Sequence, residues 1–90
     1  MPTLQLGSQN VGESEPTYII AEIGINHEGD VGACREMISA AAHAGADAVK
    51  LQTIDADENY VVGTESHTLF KRSALSPDQT ADMFELAASL

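Results

Sequence analysis

The middle of the sequence predicts a strand, a loop, a helix and a second strand in direct succession. An isoleucine-rich run from Tyr18 to Asn26 predicts the first strand. Loop-forming residues over Asn26–Asp30 lead into a helical pattern over Val31–Ala44, which Asp30 is suited to cap and Gly45 is suited to end. A second strand is predicted over Ala46–Thr53. Because a strand–helix–strand unit of this length closes as a right-handed parallel crossover, the sequence predicts an α/β fold built on a parallel sheet.

The segments on either side of this unit predict further elements. Residues 4–12 alternate briefly around a Gly/Ser/Asn cluster, which indicates a β-hairpin, and we assign residues 1–17 to an N-terminal hairpin or cap. Residues 54–75 predict a long polar connection, and residues 76–79 (Ser-Pro-Asp-Gln) form a capping box that begins a second helix. Residues 18–90 are expected to form one unit, truncated because the second helix runs abruptly into the chain end.

Composition narrows the classes of partner. Four Lys and Arg residues against fourteen Asp and Glu residues give a formal net charge of -10. Such an acidic chain repels phosphate backbones and anionic lipid, so we expect no binding to nucleic acid or to membranes. The first residues lack the basic and apolar regions of a signal peptide, and a cytoplasmic location is expected. The single Cys34 cannot form an internal disulfide and is expected to be a buried, inert thiol.

Four polar side chains fall on one face of the two predicted strands. Side chains alternate along a strand, so Glu22 and Asn26 share one face of the first strand, and Lys50 and Gln52 share one face of the second. If the apolar faces pack against helices, all four point to one interior near the carboxyl ends of parallel strands, where α/β enzymes bind ligands. Two interpretations follow: a ligand site, or a structural ion pair between Lys50 and Glu22.

The other polar residues give weaker signals. His27 lies in the predicted loop without an HExxH motif, which favours a histidine that shapes the loop or forms a hydrogen bond. The acidic run of Asp55, Asp57 and Glu58 lacks the glycine and the terminal glutamate pattern of a calcium loop, so it predicts a solvated acidic loop. His67 is expected to be solvated as well. No glycine-rich phosphate loop is present in the sequence, which disfavours nucleotide binding.

Two motifs resemble the sialic acid synthase family. Residues 18–30 (YIIAEIGINHEGD) and residues 44–53 (AGADAVKLQT) closely resemble that family's sequences, and residues 4–12 are similar to its opening hairpin. The resemblance is strong over residues 18–53 and looser over residues 54–90. It implies a TIM (β/α)8 barrel, of which this chain would supply the N-terminal hairpin and the first two βα units, or βαβα.

The resemblance also implies a reaction. Members of that family condense phosphoenolpyruvate with an N-acylated aminosugar such as N-acetylmannosamine, release phosphate, and use a divalent metal such as Mn²⁺ or Mg²⁺. It implies that Lys50 contacts phosphoenolpyruvate, that Gln52 lies in the substrate pocket, and that Glu22 acts in proton transfer or in holding the reacting groups. Asn26 lies in the matched motif and is included as a substrate-binding residue. The family's metal ligands are histidines on later strands, so no metal ligand is implied in this chain.

The resemblance further implies a homodimer for the complete protein and a 90-residue chain that is inactive by itself. Two other functions remain open from the residues. One is a related barrel lyase or aldolase with another acceptor. The other is a noncatalytic α/β module that pairs its exposed sheet edge with a partner. The residues specify neither the acceptor sugar nor the metal.

Overall fold

A computed structural model describes residues 2–90 of the chain; Met1 lies outside the described residues. It contains two separate two-stranded sheets and four helices within that range. In chain order the elements are β1 (Thr3–Leu6), β2 (Gln9–Gly12), β3 (Ile20–Gly24), α1 (Val31–His43), β4 (Ala48–Leu51), α2 (Ala56–Asn59), α3 (Glu65–Ser73) and α4 (Pro77–Ser89).

The N-terminal hairpin is confirmed. Strands β1 and β2 pair antiparallel, with Leu6 opposite Gln9. The hairpin is tied to the second sheet through Asp47, whose carboxylate accepts hydrogen bonds from the Ile19 backbone N–H at 2.8 Å and from Gln9 Nε2 at 2.9 Å. These two bonds, the backbone one first, hold the pKa of Asp47 below its usual range. The division of the chain into residues 1–17 and 18–90 stays a prediction.

The parallel crossover is present, with shorter strands than predicted. Strands β3 and β4 pair parallel and are joined through α1. Asp30 caps α1 by accepting a hydrogen bond from Ala33 N at 3.1 Å. At the other end Gly45, with φ of 96°, and Ala46 return their N–H groups to carbonyls of the last turn, the geometry of a Schellman motif. The two caps fix the length of α1.

The polar connection predicted over residues 54–75 contains two helices, α2 and α3, that the sequence did not predict. Asp57 on α2 accepts hydrogen bonds from Lys71 Nζ at 2.8 Å and shares one with His67 Nε2 at 2.7 Å, and both of these partners lie on α3. The rings of Tyr60 and Phe70 stack with centroids 5.0 Å apart. His67 is therefore hydrogen-bonded to Asp57 and only 12% of its side chain is exposed, whereas a solvated side chain was expected.

Helix α4 begins as predicted, with the reciprocal capping box of Ser76 and Gln79. It packs against α1, and the core between the helices and β3 is formed by the buried residues Ile23, Cys34, Ile38, Leu75 and Met83. Burial raises the pKa of the Cys34 thiol, as expected for an inert core cysteine. Within residues 2–90, no helix is long and apolar enough to cross a membrane.

Candidate functional site

The centre of the candidate site is a lysine–glutamate pair on neighbouring strands. Glu22 of β3 lies directly opposite Lys50 of β4 in the parallel register, and Lys50 Nζ lies 3.4 Å from Glu22 Oε2. The side chain of Lys50 is 67% exposed and that of Glu22 is 52% exposed. An exposed ion pair contributes about 0–1 kcal/mol to stability. The structure thus contains the Lys50–Glu22 ion pair that the sequence allowed. Because the pair contributes so little to the stability of the fold, stability alone does not explain why these two residues are placed together.

The other two predicted site residues, Asn26 and Gln52, lie near this pair around Gly24. The pairing register shifts between Glu22 and Gly24, and Gly24 has a left-handed φ of 59°. A Cβ built on Gly24 would lie 3.3 Å from Glu22 Oε1, 3.7 Å from Gln52 Oε1 and 4.0 Å from Asn26 Nδ2. The three polar side chains thus surround the open face of Gly24. We call Glu22, Asn26, Lys50 and Gln52 the polar cluster.

Asn26 lies in the polar cluster, but in a turn and not on a strand as predicted. The first strand ends at Gly24, so Asn26 does not lie on the strand face. It lies in a turn, in which its backbone N–H donates to Ile23 O at 3.1 Å and its Nδ2 donates to the same carbonyl at 2.8 Å. The shift at Gly24 bends the chain back and brings Asn26 beside the strand ends.

Sequence patterns did not single out Gly24 as part of this site. A usable signal was present, because a glycine inside a strand pattern often marks a bulge or a close approach of the backbone. Alternation alone treats residues 20–26 as a regular strand. It therefore places Asn26 near Glu22, as the structure does, but on a strand that ends at Gly24 instead of in the turn that follows.

His27 shapes the loop, as expected. Its side chain is buried, and Nδ1 accepts a hydrogen bond from the Gly29 backbone N–H at 3.0 Å. Among residues 2–90, no group of three His, Cys, Asp or Glu side chains could hold a metal ion. The described residues therefore do not by themselves form a metal centre.

Known proteins are similar to this chain over half of its length or more. The crystal structure of N-acetylneuraminic acid (sialic acid) synthetase from Leptospira borgpetersenii superposes with a TM-score of 0.89 at 31% identity, covering 98% of this chain and 31% of that one. The N,N'-diacetyllegionaminic acid synthase of Legionella pneumophila is 52% identical over 46 residues, which are 51% of this chain and 13% of that protein. The chain belongs to the sialic acid synthase family.

The chain corresponds to only a part of each related protein. An uncharacterized protein of Methanocaldococcus jannaschii is 36% identical over 90 residues, which are all of this chain and 27% of that protein. No protein-family model matches the sequence. The chain thus spans less than a third of the length of the Methanocaldococcus protein, of the Legionella synthase and of the protein in the Leptospira structure.

Proposed function

We propose that this chain is part of a phosphoenolpyruvate-dependent synthase that makes a nonulosonic acid from an N-acylated aminosugar such as N-acetylmannosamine, with release of phosphate. The observation that carries the proposal is the polar cluster at the carboxyl ends of two parallel strands, in a chain of the sialic acid synthase family. Parallel α/β folds bind their ligands at this end of the sheet.

Lys50 is the proposed phosphoenolpyruvate contact. Phosphoenolpyruvate is strongly anionic, and this chain carries a net charge of -10, so a local cation is needed to offset the repulsion. Lys50 offers an ammonium on a flexible stem, and more than half of its side chain is open to a ligand. Neutralising the departing phosphate lowers the barrier to its release.

Glu22 and the two amides have complementary proposed roles. Glu22 lies near enough to Lys50 to orient its ammonium, and it could move a proton as the enol ester reacts. Gln52 Oε1 faces the open side of Gly24 and can accept a hydrogen bond from a substrate hydroxyl or amide. Asn26 donates Nδ2 to Ile23 O, which leaves Oδ1 as its acceptor toward a substrate.

The complete protein is proposed to close a TIM barrel around this site. An open groove of about 600 Å³ lies between β4 and α4, and its apolar lining includes Val49, Leu51, Met83 and Phe84. The side chain of Phe84 is left 75% exposed there. A further βα unit, hydrogen-bonded to β4, would cover this surface, and burial of apolar surface on this scale stabilises a fold.

The remaining features of the complete protein are proposals from family membership. A divalent metal, Mn²⁺ or Mg²⁺, would be held by residues outside this chain, because residues 2–90 contain no suitable ligand group. A homodimer and a cytoplasmic location are proposed on the same ground, and the 90-residue chain is proposed to be inactive alone.

Another acceptor sugar is the main alternative. The similar proteins are named for different products, sialic acid in one and diacetyllegionaminic acid in another. An assay of phosphate release should therefore include a panel of N-acylated aminosugars.

The test is release of inorganic phosphate from phosphoenolpyruvate by the full-length protein that carries this sequence, with Mn²⁺ and N-acetylmannosamine. We expect Lys50→Ala to reduce kcat/KM by about 100-fold or more, the usual cost of removing a charge-stabilising group. Lys71→Ala is the matched control, since the Lys71 side chain is 60% exposed and pairs with Asp57 rather than with Glu22. It should retain wild-type rates.

Three outcomes separate the claims. Equal rates for wild type and Lys50→Ala would remove Lys50 from the mechanism. No phosphate release by the wild type with any sugar of the panel would refute the synthase proposal. Turnover by the purified 90-residue chain would refute its proposed inactivity.

A further inference from the structure

The turn that connects β3 to α1 is held in an unusual conformation. Its backbone makes three successive N–H to carbonyl bonds, from Asn26 to Ile23, from Glu28 to Ile25 and from Asp30 to His27. Glu28 and Gly29 both have positive φ, 55° and 80°, and the first of these is disfavoured for a residue with a side chain. Such conformations persist when the surroundings fix them.

His27 is the side chain that fixes this turn. It is 3% exposed. Its Nδ1 accepts the Gly29 N–H, so the bond from ring to backbone spans the strained residue Glu28. A nitrogen that accepts cannot carry a proton. The ring is therefore in the neutral tautomer with its hydrogen on Nε2.

The same turn is packed against the end of α3. A Cβ at Gly29 would lie 2.8 Å from the carbonyl oxygen of Arg72 and 3.6 Å from the Cα of Ser73. Ser73 is completely buried. Gly29 is therefore in contact with the backbone at the end of α3 and is also hydrogen-bonded to the ring of His27, which leaves it little room to shift.

Each end of the turn carries a residue whose position matters. One end is Asn26 of the polar cluster, which is bonded to Ile23 O. The other is Asp30, which caps α1. A change of conformation at residues 27–29 would move both ends, and Asn26 would lose its place beside Gly24.

We propose that His27 is a positioning residue, locked in the Nε2–H tautomer, that sets Asn26 in the polar cluster without touching the substrate. The inference rests on the proposed function for its catalytic consequence, whereas the lock itself does not. Two matched variants separate the ring nitrogens. His27→Asn keeps an acceptor at the δ position and can make the equivalent turn with the N–H two residues on, whereas His27→Gln moves the amide to the ε position.

The first measurement is long-range ¹H–¹⁵N NMR of the histidine rings in this chain, together with hydrogen exchange at Gly29. We expect the Nε2–H tautomer for His27. Gly29 N–H exchange should be about tenfold faster in His27→Gln, as for the loss of one hydrogen bond, and close to wild type in His27→Asn. The side-chain amide resonances of Asn26 should shift in His27→Gln alone. An Nδ1–H or averaged ring, or unshifted Asn26 resonances in His27→Gln, would overturn the proposal.

The second measurement is phosphate release by the full-length protein. The Gln variant should lose kcat about tenfold with little change in KM for phosphoenolpyruvate, and the Asn variant should recover it, because one hydrogen bond is lost and restored. Equal kcat in both variants would refute the positioning role. If the wild type releases no phosphate while the NMR results hold, the synthase proposal fails and the His27 lock stands.

Discussion

Replacing Gly29 with alanine should be far more damaging than replacing a glycine of similar backbone conformation elsewhere. Gly29 has φ of 80° and Gly45 has φ of 96°, so an alanine at either position adopts a left-handed conformation. That strain costs about 1–2 kcal/mol. The two sites differ in their surroundings, because a Cβ at Gly45 meets nothing within 4 Å, whereas a Cβ at Gly29 meets the Arg72 carbonyl oxygen at 2.8 Å.

The additional cost at Gly29 follows from this contact. The neighbouring atom belongs to the backbone of α3, so it cannot rotate away as a flexible side chain would. Forcing extra atoms into a packed site costs about 1–3 kcal/mol. We therefore expect the free energy of unfolding to fall by roughly 2–5 kcal/mol in Gly29→Ala and by about 1–2 kcal/mol in Gly45→Ala.

Urea denaturation followed by circular dichroism measures both losses. With an m-value of about 1–3 kcal/mol/M, a difference of about 2 kcal/mol separates the two midpoints by roughly 0.7–2 M. Equal midpoints for the two variants would show that α3 moves aside freely. The inferred packing of the turn against α3 would then be wrong.

Two further predictions concern the α2–α3 segment. Bonds from Lys71 and then His67 lower the pKa of Asp57, so its contribution to stability is present above the ordinary aspartate pKa of about 3.9 and is lost as pH falls through the folded value. Protection factors of the α3 amides, which are referred to the intrinsic exchange rate at each pH, should fall on acidification in wild type but not in Asp57→Asn; equal pH profiles for the two proteins would contradict this. Ser73 Oγ is buried without a hydrogen-bond partner among the described residues, so Ser73→Ala should be neutral or stabilise by up to about 1 kcal/mol, and a clear loss on thermal unfolding would reveal an unseen partner.

Features specified by local chemistry were predictable from the sequence. Asp30, Gly45 and the Ser76–Gln79 capping box mark helix ends within one turn of the chain, and each is confirmed. The parallel pairing also followed, because the short connection through one helix leaves few alternative topologies. Family resemblance came from the same region, where strand and loop residues are most distinctive.

Features that depend on distant contacts were not predictable in this way. Helix α3 is held by bonds from Asp57 to residues ten and fourteen positions later and by the stacking of Tyr60 on Phe70, none of which a local pattern reveals. Without knowledge of these contacts, the residue types of that segment indicate a polar loop. The early end of β3 likewise depends on the register shift at Gly24, which requires its partner strand.

The polar cluster combines a fixed backbone with weakly held side chains. Parallel pairing sets Glu22 opposite Lys50, and the turn held by His27 sets Asn26, so the Cα positions are determined before any ligand arrives. The Lys50–Glu22 pair itself contributes about 1 kcal/mol at most, because both side chains are largely exposed. An anionic substrate can therefore replace Glu22 as the partner of the Lys50 ammonium with little loss of free energy. If phosphoenolpyruvate binds as proposed, this exchange would release the Glu22 carboxylate beside the reacting group, where it can act on a proton.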